Sequence, residues 1–214
     1  MPLLLIDLDN TLVDRDAAFR EAASGFLAEH ALPGTELDWL TTLDASGYTP
    51  REDVARAMVE RYALPEAPVR RLLDDGVAEH VTLTDATRRA LVGARAHGWT
   101  CVIVTNGRVA QQERKIRGTG LDRLVHAWVV SEAVGHKKPA PEIFQAAADA
   151  AGAPLHGAWV IGDSPHADIR GAIGIDARSV WVSGGRLWGE AGYRPTRVAP
   201  DAATAIRVGV HEGP

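Results

Sequence analysis

The feature that most constrains this chain is a set of short, unbroken apolar runs, each ending in an acid or a small polar residue. They lie at residues 3–8, 99–105, 127–131, 158–162 and 178–182. None alternates apolar with polar, so each suits a strand buried on both faces, as in a parallel sheet. Helical patterns at 84–97, 108–117, 141–151 and 167–173 fall between them, two of them closed by Gly98 and Gly118. Strand and helix in alternation predict a parallel sheet with right-handed crossovers. In such sheets ligands bind at the carboxyl ends of the strands, where these runs put their polar residues.

Residues 14–80 break the rhythm. They hold no strand pattern and four helical ones, at 15–30, 36–43, 50–63 and 68–80. Thr49, Pro50 and Glu52 spell a helix start, with Thr49 as N-cap, Pro50 at the first position and Glu52 closing a capping box. An all-helical block between the first two strands of an α/β core reads as an inserted small domain. Residues 184–214 are rich in Gly, Pro and Arg, with one helical pattern at 201–207 and no assigned role.

Composition removes some partners. The formal net charge of −5 provides no basic field for nucleic acid or an anionic membrane. A single cysteine, Cys101, cannot form an internal disulfide, which points to a reducing, cytoplasmic setting. The apolar run at the start stops at Asp7, too short for a signal peptide or a membrane span.

Acids gather at the expected crevice. Asp7 and Asp9 are two apart, so on an extended strand they share a face, and Asp163, Asp168 and Lys138 lie at other loop starts. Two carboxylates about 4 Å apart repel by about 4 kcal/mol at an effective dielectric near 20, so three pairs cost about 12. One lysine does not offset that, whereas a divalent cation at that distance contributes about 8 kcal/mol per carboxylate. Oxygen ligands without paired His or Cys select Mg²⁺, with coordination positions left for water or a substrate phosphate.

Four segments together carry a resemblance. Asp7-Leu8-Asp9-Asn10-Thr11-Leu12 resembles the first signature of the haloacid dehalogenase-like (HAD) superfamily, and Thr105-Asn106-Gly107 the second. Lys138-Pro139 with the following Ala140-Pro141-Glu142-Ile143-Phe144 resembles the third, and Gly162-Asp163-Ser164-Pro165-His166-Ala167-Asp168 the fourth. They occur in the family's order over about residues 3–183. The resemblance implies a Rossmann-like three-layer α/β core with a mostly parallel sheet (residues 1–13 and 83–214) and a helical cap (14–82) that closes over the crevice and supplies specificity residues.

It also implies roles. Asp7 would attack phosphorus and form an aspartyl-phosphate. Asp9 would protonate the leaving alkoxide and then activate water, and its main-chain carbonyl would join Asp7 and Asp163 on Mg²⁺. Thr105 and the amides of Asn106 and Gly107 would hold phosphoryl oxygens. Lys138, preferred over Lys137 because it precedes proline, would neutralise phosphate and Asp7, and Asp168 would support the site. Phe19 and Arg20 are candidates for cap specificity. The expected substrate is a small phosphorylated metabolite, and the protein a monomer or homodimer.

The family also holds dehalogenases, which lack the second acid, so Asp9 argues for phosphate chemistry. A phosphomutase would use the same carboxylates, and a non-catalytic regulatory protein would keep the fold with those charged positions idle. His166 reads as a loop residue and Cys101 as core. Trp99, Trp128, Trp159 and Trp181 read as packing, and Trp188 has no reading.

Overall fold

The computed structural model describes residues 1–213. The chain divides into two compact units, Met1–Val13 with Leu83–Pro214, and Asp14–Thr82.

The first unit is built on six strands: β1 (Leu3–Ile6), β2 (Thr100–Thr105), β3 (Ala127–Val130), β4 (Trp159–Gly162), β5 (Arg178–Val182) and β6 (Arg197–Ala199). Their order is β3-β2-β1-β4-β5-β6, and every neighbouring pair is parallel. β1 is central, with Ile6 level with Ile103 of β2 and Ile161 of β4. Every residue of β1, β2 and β4 is buried, which is why their sequences are continuous rather than alternating. The strand order reverses between β1 and β4, the switch point where open α/β sheets place their ligands.

The inserted unit contains α1 (Arg15–Glu29), α2 (Leu37–Asp44), α3 (Arg51–Tyr62), α4 (Glu66–Arg71) and α5 (Val77–His80). Asp14 caps α1, its Oδ1 accepting from the Ala17 amide at 2.9 Å. Arg15 is buried and paired with Asp44, its Nη2 donating to Asp44 Oδ1 at 2.6 Å. The capping box expected at Thr49 does not form. Pro50 keeps an extended ψ of 132° and is itself the N-cap, with no side-chain cap bond. The helix therefore starts at Arg51, one residue later than the pattern suggests, and Glu52 falls too early to reach back.

The remaining helices are α6 (Asp85–Ala96), α7 (Val109–Gly118), α8 (Ser131–Val134), α9 (Pro141–Ala151), α10 (Arg170–Gly174) and α11 (Ala202–Glu212). Ile143, Phe144, Ala147 and Ala148 of α9 bury against Leu3, Leu5, Val102 and Val104 on one face of the sheet. On the other face α11 comes close enough that a Cβ on Gly209 would sit 3.2 Å from Leu4. The result is the Rossmann-like three-layer α/β core. Two features of the tail escaped the sequence pattern: β6 has only three residues, and α11 runs past 207 to Glu212. Among the described residues no helix is long and apolar enough to cross a membrane.

Candidate active site

The site follows from the sheet register. β1 ends at Ile6 and β4 at Gly162, and the Asp7 amide still bonds to Ile161 O at 2.9 Å. The next residue on each adjacent strand is an acid, Asp7 and Asp163. Together with Asp168 they present carboxylate oxygens all within 4.8 Å of one another.

Lys138, in the loop between α8 and α9, is the cation of this group. Its Nζ donates to Asp7 Oδ1 at 2.6 Å and to Asp168 Oδ1 at 2.7 Å, and all three side chains are buried. Its neighbour Lys137 is exposed, so burial and pairing single out Lys138. The Asp168 Oδ2 accepts the Ser164 amide at 3.0 Å, which ties Lys138 to the loop after β4. Gly162 makes room for this: a Cβ there would lie 2.1 Å from Asp168 Cγ.

Burial pushes the Asp7 carboxyl up to about 8; the Lys138 charge opposes that shift and the charges of Asp168 and Asp163 add to it. Asp163 is pushed up to about 6 by burial and by Asp168, against the pull of Arg186. Burial alone would lower Lys138, but Asp168 and Asp7 outweigh it and hold the ammonium above its usual range. Three carboxylates thus gather about one buried ammonium. The donors of the group are all carboxylate oxygens, the set that suits a hard divalent cation such as Mg²⁺.

The other residues of the first two segments form a second cluster. Asp9 is not part of the carboxylate group. Beyond Ile6 the chain leaves the extended conformation, with Asn10 at φ 57° and Asp9 bridging to Val13, so two-residue alternation no longer puts Asp9 beside Asp7. Its carboxylate instead meets Lys115 Nζ at 2.7 and 2.8 Å and Gln112 Nε2 at 2.9 Å, both from α7. Gln112 Nε2 also donates to Thr105 Oγ1 at 2.6 Å.

Asn106 pairs with the main chain of Lys138, donating from Nδ2 at 3.1 Å and accepting at Oδ1 at 2.8 Å. The Gly107 amide donates to Ser131 Oγ at 3.0 Å. Asn106 and Gly107 therefore brace the second segment against the Lys138 loop and α8.

Arg186, from the tail, donates through Nη2 to Asp163 Oδ2 at 3.1 Å and to Asp163 O at 3.0 Å. Its guanidinium carbon lies 5.5 Å from the Trp181 ring centroid, and Trp181 Nε1 donates to Asp163 O at 2.8 Å. Trp188 packs edge-on against Trp181 at 5.0 Å, which gives it a structural place.

His166 is exposed and Cys101 buried. In the helical unit Phe19 is buried beneath the Arg15 guanidinium, which lies 5.0 Å from its ring. Arg20 stays exposed, and both line a cavity of about 220 Å³ with Thr41, Thr42 and Ser46.

Lys115, Gln112, Ser131 and Arg186 were missed at the sequence level. Gln112 and Lys115 are three apart on α7, so they share a face, but that spacing also fits an ordinary solvated helix face. Arg186 sits in a Gly-rich stretch with no pattern to mark it.

A parallel sheet with acids from two adjacent strand ends around a buried lysine defines a class of hydrolase. The haloacid dehalogenase-like hydrolase family matches residues 4–182, and the chain belongs to it. The glyceraldehyde 3-phosphate phosphatase of Pyrococcus abyssi is 29% identical over 201 residues, covering 86% of this chain and 82% of that protein. The phosphoserine phosphatase of Thermus thermophilus is 35% identical over 119 residues, 56% of this chain but only 44% of its own length. The magnesium-bound HAD-hydrolase YfnB of Bacillus subtilis has the same fold, with a TM-score of 0.74 at 23% identity over 97% of both chains.

Proposed function

We propose that the chain is a Mg²⁺-dependent phosphomonoesterase acting on small phosphorylated metabolites through an aspartyl-phosphate on Asp7, with residues 14–82 as its cap. The observation that carries this reading is the position of Asp7: 2.6 Å from Lys138 Nζ and grouped with Asp163 and Asp168 at the carboxyl end of the sheet. The two phosphatases to which the chain is similar support the substrate class.

A divalent cation held by Asp7, Asp163 and the Asp9 main-chain carbonyl would neutralise phosphoryl charge as it builds up. The chain's own groups do the rest. An Asp7 carboxylate oxygen bonds to phosphorus as the bond from phosphorus to the ester oxygen breaks. Asp9, as a carboxyl, gives its proton to that oxygen and an alcohol leaves. Water then yields a proton to the Asp9 carboxylate while its oxygen bonds to phosphorus. The bond to Asp7 breaks and inorganic phosphate is released. Lys138 and Thr105 hold the phosphoryl oxygens in line, which matters because a carboxylate is a weak nucleophile. The second acid, Asp9, favours phosphate chemistry over halide displacement.

The test is phosphate release across a panel of phosphomonoesters with Mg²⁺, together with trapping of the phosphoenzyme. Wild type should turn over at least one small ester, Asp7→Asn none, and Asp9→Asn given p-nitrophenyl phosphate, whose leaving group hardly needs a proton, should accumulate protein one phosphoryl group heavier at Asp7. Turnover surviving in Asp7→Asn would reject the covalent route.

A further inference from the structure

Lys115 is 2% exposed, and a buried ammonium is costly unless it is paired. Its partner is Asp9, met at both oxygens, 2.7 and 2.8 Å. One turn earlier on α7, Gln112 is 1% exposed and its amide nitrogen bridges Asp9 Oδ2 at 2.9 Å and Thr105 Oγ1 at 2.6 Å. The bare Cα of Gly107 lets it pass: a Cβ at that residue, whose φ is +155°, would lie 3.0 Å from Gln112 Cδ. Two side chains of one helix thus fix an acid from the loop after β1 and a hydroxyl from the end of β2.

We propose that Lys115 and Gln112 are positioning residues that clamp Asp9 where it meets the departing ester oxygen. This rests on the phosphatase reading above. The Lys115 ammonium faces the carboxylate left when Asp9 has given its proton to that oxygen, and Gln112 sets Asp9 and the Thr105 hydroxyl at a fixed separation. A clamp of this kind matters in proportion to how much the leaving group needs a proton. An ion pair that merely pins α7 to the loop would affect all esters alike.

The experiment is single-turnover kinetics with enzyme in excess, which isolates the first chemical step, on glycerol phosphate and p-nitrophenyl phosphate. An alkoxide needs its proton and p-nitrophenolate hardly does. Lys115→Met should slow glycerol release about 30- to 100-fold and p-nitrophenolate release less than about threefold, no more than the roughly 10²- to 10⁴-fold of the general acid through which it acts. In an Asp9→Asn background the same change should slow glycerol release less than about twofold further, since residues acting as one unit are not additive.

Equal slowing of both esters, or full additivity with Asp9→Asn, would overturn the proposal. If thermal melting shows Lys115→Met unfolded, Gln112→Leu takes its place; Gln112 also holds Thr105, so both esters slow, glycerol release about five- to tenfold more than p-nitrophenolate release, and equal slowing there also overturns the proposal. A wild type that releases phosphate from no ester of the panel removes the phosphatase reading and this one together, whereas equal slowing removes only the clamp.

Discussion

Lys138 Nζ lies 2.6 Å from Asp7 Oδ1, and the same ammonium bonds Asp168 Oδ1 at 2.7 Å. One buried cation therefore orients the proposed nucleophile and anchors it to the loop after β4. Lys138→Met leaves two buried carboxylates without that partner, and the expected loss is about 3–5 kcal/mol of stability. Phosphate release should fall about 10²- to 10³-fold or more, as when a charge-stabilising donor is removed. Lys138→Arg should not restore it, because a planar fork does not reproduce one ammonium between two acids. Urea midpoints and kcat/KM check both.

Gly162 tests the packing beneath that pair. A methyl group there must displace Asp168, whose Cγ would lie 2.1 Å away. Gly162→Ala should cost about 1–3 kcal/mol from overpacking. It should also lower activity at least tenfold, a drop of about 1.4 kcal/mol in transition-state stabilisation. Gly174→Ala, with nothing within 4 Å of the added Cβ, is the control and should stay within about 0.5 kcal/mol of wild type.

Removing divalent cations should abolish phosphate release and lower the melting temperature. Burial pushes Asp7 up to about 8 and Asp163 up to about 6, and the Asp168 charge adds to both shifts, so a bound cation would favour their ionised forms. At a Mg²⁺ concentration 100 times its dissociation constant the gain is about 2.7 kcal/mol, or roughly 5–10 °C for a chain of this size. Asp163→Asn should shrink that increment, as read by scanning calorimetry with EDTA and with Mg²⁺.

In the helical unit the Arg15–Asp44 pair is buried, with Arg15 4% exposed. Arg15→Met and Asp44→Leu should each cost about 3–5 kcal/mol, because each strands the other's charge. The double variant should cost less than the sum, as a denaturation double-mutant cycle would show.

Cys101 lies in β2 with every neighbour buried, and burial pushes its thiol up to about 12. At pH 7–9 the folded protein should react with a thiol reagent only as fast as it unfolds, since the thiolate is the nucleophile. Stoichiometric reaction in urea and near-silence in buffer is the expected pair of results.

Much of this protein was legible in one dimension because the controlling forces there are local. Strands buried on both faces must be continuously apolar, so Leu3, Leu4, Leu5 and Ile6 could be read as a central strand, and Asp7 and Asp163 as strand-end acids. The helical insert was legible for the same reason, since it lacks such a run. What the chain alone left undecided concerns groups that meet across long separations. The alternation that put Asp9 beside Asp7 lapsed because the chain turns after Ile6, and only the docking of α7 brings Lys115 and Gln112 onto Asp9. Arg186 reaches Asp163 from a stretch without periodicity, and the preference for Lys138 over Lys137, which rested on the following proline, gains its physical ground only where the packed loop buries Lys138. Local pattern decides which residues can line a site, while desolvation and pairing, which exist only once distant segments are packed, decide which charges meet.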